Sequence, residues 1–408
     1  MFKKSPDELE AEFRNNPEAF AQAFESTETA DAVAATWRAR LKADGLLDRV
    51  ARQVGFTYPA AIATAISLLF LVPYWVTGEF EAEWAVPWLA PVVVLPLMAW
   101  HANFTKGLRG WCVFATATVV SIFVAVLWGL MQDILHQSLM AQSRDLMMIH
   151  APMLLLGLTG WVWTLGGKGR TRVDFVRSGV QVVIYAAVIL AAGAVLFGLS
   201  MALADLLKID EEKVAIHLLS WGLSGVLIFA HHVWLRHAQA LDRVLPVIAR
   251  LFIPLFTLLE AGLLVAYLFK GFGELSGNRD ALMVFNFLLI AVIGLVLLHT
   301  AWEKGAARFT RAVVVGLLVL GIVADLIGMA AIGTRLWAWG FTPNRLTVLV
   351  GNVLFLGTLL ALLRAYIPLG GRRWLSPAGV LNRAFPVYVA WTAFVVVLLP
   401  VICLISGA

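Results

Sequence analysis

The chain has 408 residues, of which 61% are hydrophobic and 14% charged, with a formal net charge of +5. A soluble domain carries about 25% charged and about 45–50% apolar residues, so the composition excludes an ordinary soluble enzyme and points to a bilayer as solvent. Residues 1–52 hold ten acidic and eight basic side chains, leaving the excess of positive charge to short loops between apolar runs; there it reads as a topology signal and not as a nucleic-acid footprint.

In chain order, residues 1–57 read as a cytoplasmic helical head. Ser5-Pro6-Asp7-Glu8 is a helix start, with Ser5 as cap, Pro6 at the first helical position and Glu8 completing a capping box. Leu9, Phe13, Phe20 and Phe24 form an apolar stripe, which Asn15-Asn16-Pro17 divides between two helices. Thr29 is a candidate cap for a third helix with Val33, Trp37 and Leu41 on one face, and Gly45 interrupts before the first span. The head suits either a collar on the membrane domain or a docking module for a protein partner. The opening MFKKSPDELE lacks an apolar core, so no cleavable signal peptide is expected.

Residues 58–408 read as a transmembrane domain. A helix needs about 20 apolar residues to cross the hydrocarbon core, and eleven runs qualify: 58–78, 84–101, 111–134, 146–165, 179–206, 214–235, 246–270, 281–302, 312–333, 346–368 and 385–405. The second holds Pro87, Pro91 and Pro96 and is expected to be kinked or partly re-entrant. The fold expected is therefore an all-α polytopic bundle of about eleven spans.

Loop charge alternates along these runs. Lys106 and Arg109, then Lys168, Arg170, Arg172 and Arg177, then Arg236, Arg243 and Arg250 mark successive basic loops. Lys304, Arg308 and Arg311, then Arg372, Arg373 and Arg383 complete the set, and the intervening loops are acidic or sparse. The positive-inside rule then sets the N-terminus in the cytoplasm and Ala408 outside. Trp84, Trp100, Trp111, Trp163, Trp234, Trp302, Trp337, Trp339 and Trp374 fall near span ends, as interfacial anchors do. Cys112 and Cys403 map to opposite faces, so no disulfide between them is expected.

Residues 242–368 contain the run RLFIPLF, with Arg250 and Pro254, and the turn Gly340-Phe341-Thr342-Pro343-Asn344-Arg345 opening a span. This stretch resembles the bacterial membrane proteins grouped as a domain of unknown function, DUF4153, and the related DUF4173 group. The resemblance implies a polytopic bacterial inner-membrane protein and no established activity.

Ionisable groups at membrane depth are costly and default to functional candidates. Glu260 lies mid-span; Arg250, ten residues earlier, is about 15 Å away along the same helix and is not its partner. Glu260 reads as an ion or proton site, or as a structural carboxyl paired elsewhere. Asp325 lies late in its span, and a pair with Arg345 across the following turn is the expected means of neutralising both. Thr342 is expected to cap the helix that opens at Pro343. Asn286 and Asn352 suit hydrogen bonds between helices.

His101, His231, His232 and His299 map to cytoplasmic span ends, where they are weak candidates for a metal or haem site; a titrating ring is equally at home there, and no HxxxH, HExxH or CxxCH motif accompanies them. No cofactor is expected. Asp133, His136, Asp145 and His150 surround one outer loop, as acid–base or cation ligands or as a solvated polar turn. Phosphate-loop, dinucleotide-binding and nucleophile-elbow motifs are absent, which disfavours an enzyme and leaves any catalytic residue unknown. Anionic lipid headgroups are expected partners of the inner basic loops at Arg170, Arg172, Arg308, Arg372 and Arg373, and a homo-oligomer is compatible with the sequence. The leading functional reading is passage of a small solute or ion through the polar groups Glu260, Asp325, Arg345, Asn286, Asn352 and Arg250. The alternatives are a non-catalytic component that docks a partner through residues 1–57 and a membrane enzyme or haem protein using the histidines.

Overall fold

With no water in hydrocarbon, a spanning backbone must satisfy its own hydrogen bonds, and the chain answers with helices. The computed structural model describes residues 6–15, 57–78, 86–103, 108–134, 138–166, 170–242, 245–270, 279–302, 308–367 and 375–405, with Pro17, Phe20, Ala21, Phe24, Val33, Thr36, Trp37, Arg40, Leu41 and Thr105. Among them the regular structure is entirely helical: α1 Pro6–Asn15, α2 Thr57–Thr77, α3 Leu89–Ala102 after a 3-10 turn at Val86–Trp88, α4 Arg109–Ile134, α5 Ser138–Leu165 and α6 Arg172–Leu207. Then follow α7 Glu211–Asp242, α8 Leu245–Lys270, α9 Arg279–Trp302, α10 Arg308–Trp339 and α11 Pro343–Tyr366. Finally α12, Pro377–Ala393, continues through a π turn at Phe394–Leu398 into α13, Leu399–Ile405.

Nine of these elements are long and apolar enough to cross a membrane, and Val86–Ala102 and Asn286–Leu297 are shorter apolar helices. The protein is an all-α bundle and an integral membrane protein. Several helices outrun the apolar runs that announced them: α5 starts at Ser138, α6 at Arg172 and α12 at Pro377, while α10 ends at Trp339. Hydropathy marks the hydrocarbon, whereas capping marks the helix. Thr171 and Asp174 close a reciprocal box at the start of α6, with Thr171 N and Oγ1 donating to Asp174 Oδ2 at 2.9 and 2.8 Å. Ser376 accepts the Gly379 N–H at 3.1 Å ahead of Pro377. At 36 residues, α6 is about 54 Å long.

The chain packs as two units, Met1–Ser67 with Tyr185–Ala238, and Leu68–Ile184 with Gln239–Ala408. In the first, Leu9, Phe13, Phe20, Ala21, Phe24, Trp37 and Leu41 share one buried cluster. The Trp37 ring lies 5.4 Å from Phe13 and 4.8 Å from Phe20. Arg40 sits 4.7 Å over Phe13 and pairs with Glu10, which also takes Arg14 at 2.8 Å. Val33, expected beside Trp37 and Leu41, is 38% exposed; each four-residue step turns about 40° round a helix, which carries it off the buried face. The expected features at Ser5, Asn16, Thr29 and Gly45 lie outside the described residues. In the same unit the hydroxyls of Ser67 and Ser224 meet at 2.8 Å. Tyr185 donates to the His237 carbonyl at 2.7 Å, at the kink where His237 leaves helical geometry.

In the second unit, α8 to α12 surround a core built on Ile253, Leu289, Val292, Leu317, Leu318 and Leu359, and α3, α4 and α5 bury Met98, Ala117, Leu155 and Val162. Two glycines let α5 meet α12: a Cβ at Gly157 would stand 2.6 Å from Val389 Cγ2, and one at Gly160 2.6 Å from Phe385 Cζ. The tryptophans divide. Trp337 and Trp339 are exposed, as anchors should be, but Trp100, Trp163 and Trp234 are buried. Trp163 is held by His101 at 5.1 Å and Arg170 at 4.8 Å, and Trp234 by His231 at 5.5 Å, so both are packed against protein.

Gly160→Val forces the Phe175–Phe385 pair apart at an overpacking cost of about 1–3 kcal/mol and lowers the melting temperature of the purified protein, whereas Gly193→Ala, which meets open space, leaves it unchanged. Arg14 and then Arg40 hold the Glu10 carboxyl below its usual range, so its contribution is present above the unfolded-state value and is lost as pH falls through the folded one. Hydrogen-exchange protection of residues 6–15 therefore declines at acid pH, and Glu10→Gln shows the lower protection already at neutral pH.

Candidate intramembrane polar site

Hydroxyls within a span, buried or half-buried, satisfy themselves by donating to the carbonyl one turn back. Thr159 reaches Leu155, Thr257 reaches Ile253 and Thr300 reaches Val296, at 2.8, 2.8 and 2.7 Å. An ionised carboxylate only accepts, and in mid-helix every N–H is already committed, so its own helix has nothing to give it. Two carboxyls stand in that position. Glu260 on α8 and Asp325 on α10 are both 0% exposed, and no oxygen of either meets a hydrogen-bond donor among the described residues.

Helix α10 brings them to one stripe. Gly321, Asp325 and Gly328 are spaced i, i+4 and i+7, one face of a helix. The Cβ position at Gly321 lies 3.6 Å from Glu260 Oε1 and 3.7 Å from Leu359 Cδ1, and that at Gly328 lies 3.5 Å from Asn352 Nδ2. A Cβ at either glycine would make ordinary van der Waals contact, so the two positions mark where Glu260 and Asn352 lie against α10. The same contacts fix an antiparallel register in which Gly321 faces Leu359 and Gly328 faces Asn352, so Phe355 falls opposite Asp325. The Phe355 ring is 6.0 Å from Tyr388, whose hydroxyl meets that of Thr358 at 2.9 Å and donates to the Leu354 carbonyl at 3.2 Å. Glu260, Asp325 and Asn352 thus succeed one another within about 10 Å along α10, with Tyr388 at the side.

The structure corrects one expected pairing. Arg345 does not neutralise Asp325: its Nη1 donates to the carbonyls of Trp339 and Gly340 at 2.9 and 2.7 Å, and its guanidinium lies 5.7 Å from the Trp339 ring. Carbonyls at the end of α10 have no partners within the helix, and the guanidinium serves them where it stands. Thr342 does cap α11, accepting the Arg345 N–H at 3.3 Å ahead of Pro343, and Gly340 takes the positive φ of +72° that the turn requires.

The remaining candidates scatter. Arg250 is exposed near the start of α8. Asn286 is half-buried on α9, and the Asn352 Nδ2 has no acceptor among the described residues. His101 lies edge-on to Trp163, His299 stacks on Tyr366 at 6.3 Å, and His231 and His232 belong to the other unit. Among the described residues no three His, Cys, Asp or Glu side chains gather as metal ligands would. Asp145 pairs with Arg144 at 3.3 Å, and His150 Nδ1 meets the Leu146 carbonyl at 2.8 Å, so both are engaged on α5; His136 and the side chain of Asp133 lie outside the described residues. So do Arg372, Arg373 and the side chain of Arg308.

Sequence reasoning missed Phe355, Thr358 and Tyr388, which enter through tertiary register alone. The Gly321-Asp325-Gly328 spacing was legible as a helical stripe and would have pointed to Asp325 as a contact position. Two carboxyls, an amide and a phenol in hydrocarbon offer oxygen donors to a proton or a small hard cation, and no nucleophile–base pair of the kind acyl or phosphoryl transfer needs. No protein-family model, curated protein or solved structure matches the chain.

Proposed function

We propose that this membrane protein passes or gates a small ion, a proton or small cation, through the bundle formed by α8, α10 and α11. The single observation that carries the reading is the pair of wholly buried carboxyls, Glu260 and Asp325, with no hydrogen-bond donor at any of their four oxygens among the described residues. A charge at that depth costs several kcal/mol even with relaxation. A proton or cation arriving at the carboxyl removes that cost, which makes occupancy reversible and couples it to the ion outside.

The same proposal sets the chain in a bacterial inner membrane with its N-terminus in the cytoplasm. The alternation of basic and poor loops supports that orientation.

Reconstitution into proteoliposomes carrying a pH-sensitive dye, with proton, sodium and potassium gradients imposed in turn, tests the reading. Wild-type protein is expected to dissipate one of these gradients. Glu260→Gln and Asp325→Asn, which keep shape and remove the titrating oxygen, are each expected to slow it by about tenfold or more, the effect of about 1.4 kcal/mol. Wild-type rates in both variants would contradict the proposal.

A further inference from the structure

Helices α6, α9, α11 and α12 line a cavity of about 220 Å³ that runs from Arg172 to Phe355, Thr358 and Tyr388 at the edge of the polar site. Its walls are apolar, with Val176, Ile293, Leu297 and Phe385 among them, and Arg172 stands at one end. Arg172 opens α6, while Leu381 lies near the start of α12 and Leu297 near the end of α9, so this is the mouth, at the level where membrane helices meet headgroups. From Leu381 to Tyr388 the cavity follows seven residues of α12, about 10 Å into the bilayer, and closes on the Thr358–Tyr388 hydroxyl pair. Ile290 on its rim is 47% exposed, so the groove opens sideways to hydrocarbon.

Among the described residues the charge at the mouth has no acidic partner. Arg172 makes no ion pair among the described residues; its Nη1 donates to the Asn382 carbonyl at 2.7 Å, and its buried Nε has no acceptor. Asp174, the nearest acid in sequence, is taken by Thr171. The backbone N–H groups of Arg172 and Val173 are held by Asn382 Oδ1 at 3.0 and 3.4 Å, so the guanidinium, and not the helix terminus, is the group left to meet an anion. The aromatic faces of Trp161 and Phe385, 5.8 and 5.9 Å away, orient the fork without neutralising it.

A vestibule for ions would be lined by polar groups. An apolar slot beneath a cation, open laterally to the bilayer, matches an amphiphile. We propose that the groove binds one molecule of an anionic phospholipid, its phosphate on Arg172 and the upper part of one acyl chain between α6, α9 and α12.

The test uses the full chain in detergent, with thermal unfolding followed as phosphatidylglycerol, phosphatidylcholine of the same acyl chains, or inorganic phosphate is added. Phosphatidylglycerol is expected to raise the melting temperature in a saturable way, through binding to the folded state alone. Phosphatidylcholine should act more weakly and inorganic phosphate not at all. Arg172→Gln is expected to weaken the phosphatidylglycerol effect about tenfold, the loss of one charged hydrogen-bond partner. Ile290→Trp, which fills the groove at its exposed rim without touching Arg172, should weaken it comparably and covers the case in which Arg172→Gln fails to fold. Full wild-type response in either folded variant, an equal response to phosphatidylcholine, or reproduction of the shift by inorganic phosphate would overturn the proposal.

Discussion

The dry interior of the bilayer governs this protein through an asymmetry between polar groups. Amides complete their bonds within the helix, and hydroxyls at Thr159, Thr257 and Thr300 do so by donating one turn back. A carboxylate has no proton to donate and finds no uncommitted N–H in mid-helix. Glu260 and Asp325 are therefore different in kind from the serines and threonines around them. Their oxygens meet no hydrogen-bond donor among the described residues, and on the reading proposed here a proton or cation completes their environment.

The turn between α10 and α11 sets the geometry of that site from a distance. Gly340 supplies the left-handed residue, Thr342 and Pro343 start α11, and Arg345 closes the carbonyls of Trp339 and Gly340. Together they fix where α11 begins relative to where α10 ends, and hence which residues face each other farther in. Gly321 then meets Leu359 and Gly328 meets Asn352, and Asp325 is left opposite Phe355 and Tyr388. The role of Arg345 is positional: it belongs to the site through the register it holds, and not through a charge shared with Asp325.

The fold was readable because burial in lipid is announced by composition, residue after residue. Each of the eleven apolar runs overlaps an apolar helix among the described residues, nine of them long and two shorter, and the Thr342 cap was explicit in the motif Thr-Pro. What the sequence withheld was partnership. Arg345 lies within plausible reach of Asp325 by counting, yet the unmet carbonyls at the end of α10 lie closer to it. Tryptophans near span ends look alike in sequence, but Trp337 is exposed and Trp163 is buried by a histidine and an arginine from other segments. Tyr388 joins the site only because α12 packs against α11, a contact with no local signature.

Sites kept for function tend to violate the rules that stabilise the rest of the chain, and that sets the most direct test. Replacing each carboxyl by an apolar side chain of similar size, Glu260→Met and Asp325→Leu, removes the unmet oxygens without opening a cavity. If these groups are held in hydrocarbon for ion movement, both variants unfold at a higher temperature than the wild type and lose ion flux. A lower melting temperature together with unchanged flux would identify the carboxyls as structural partners and contradict the account.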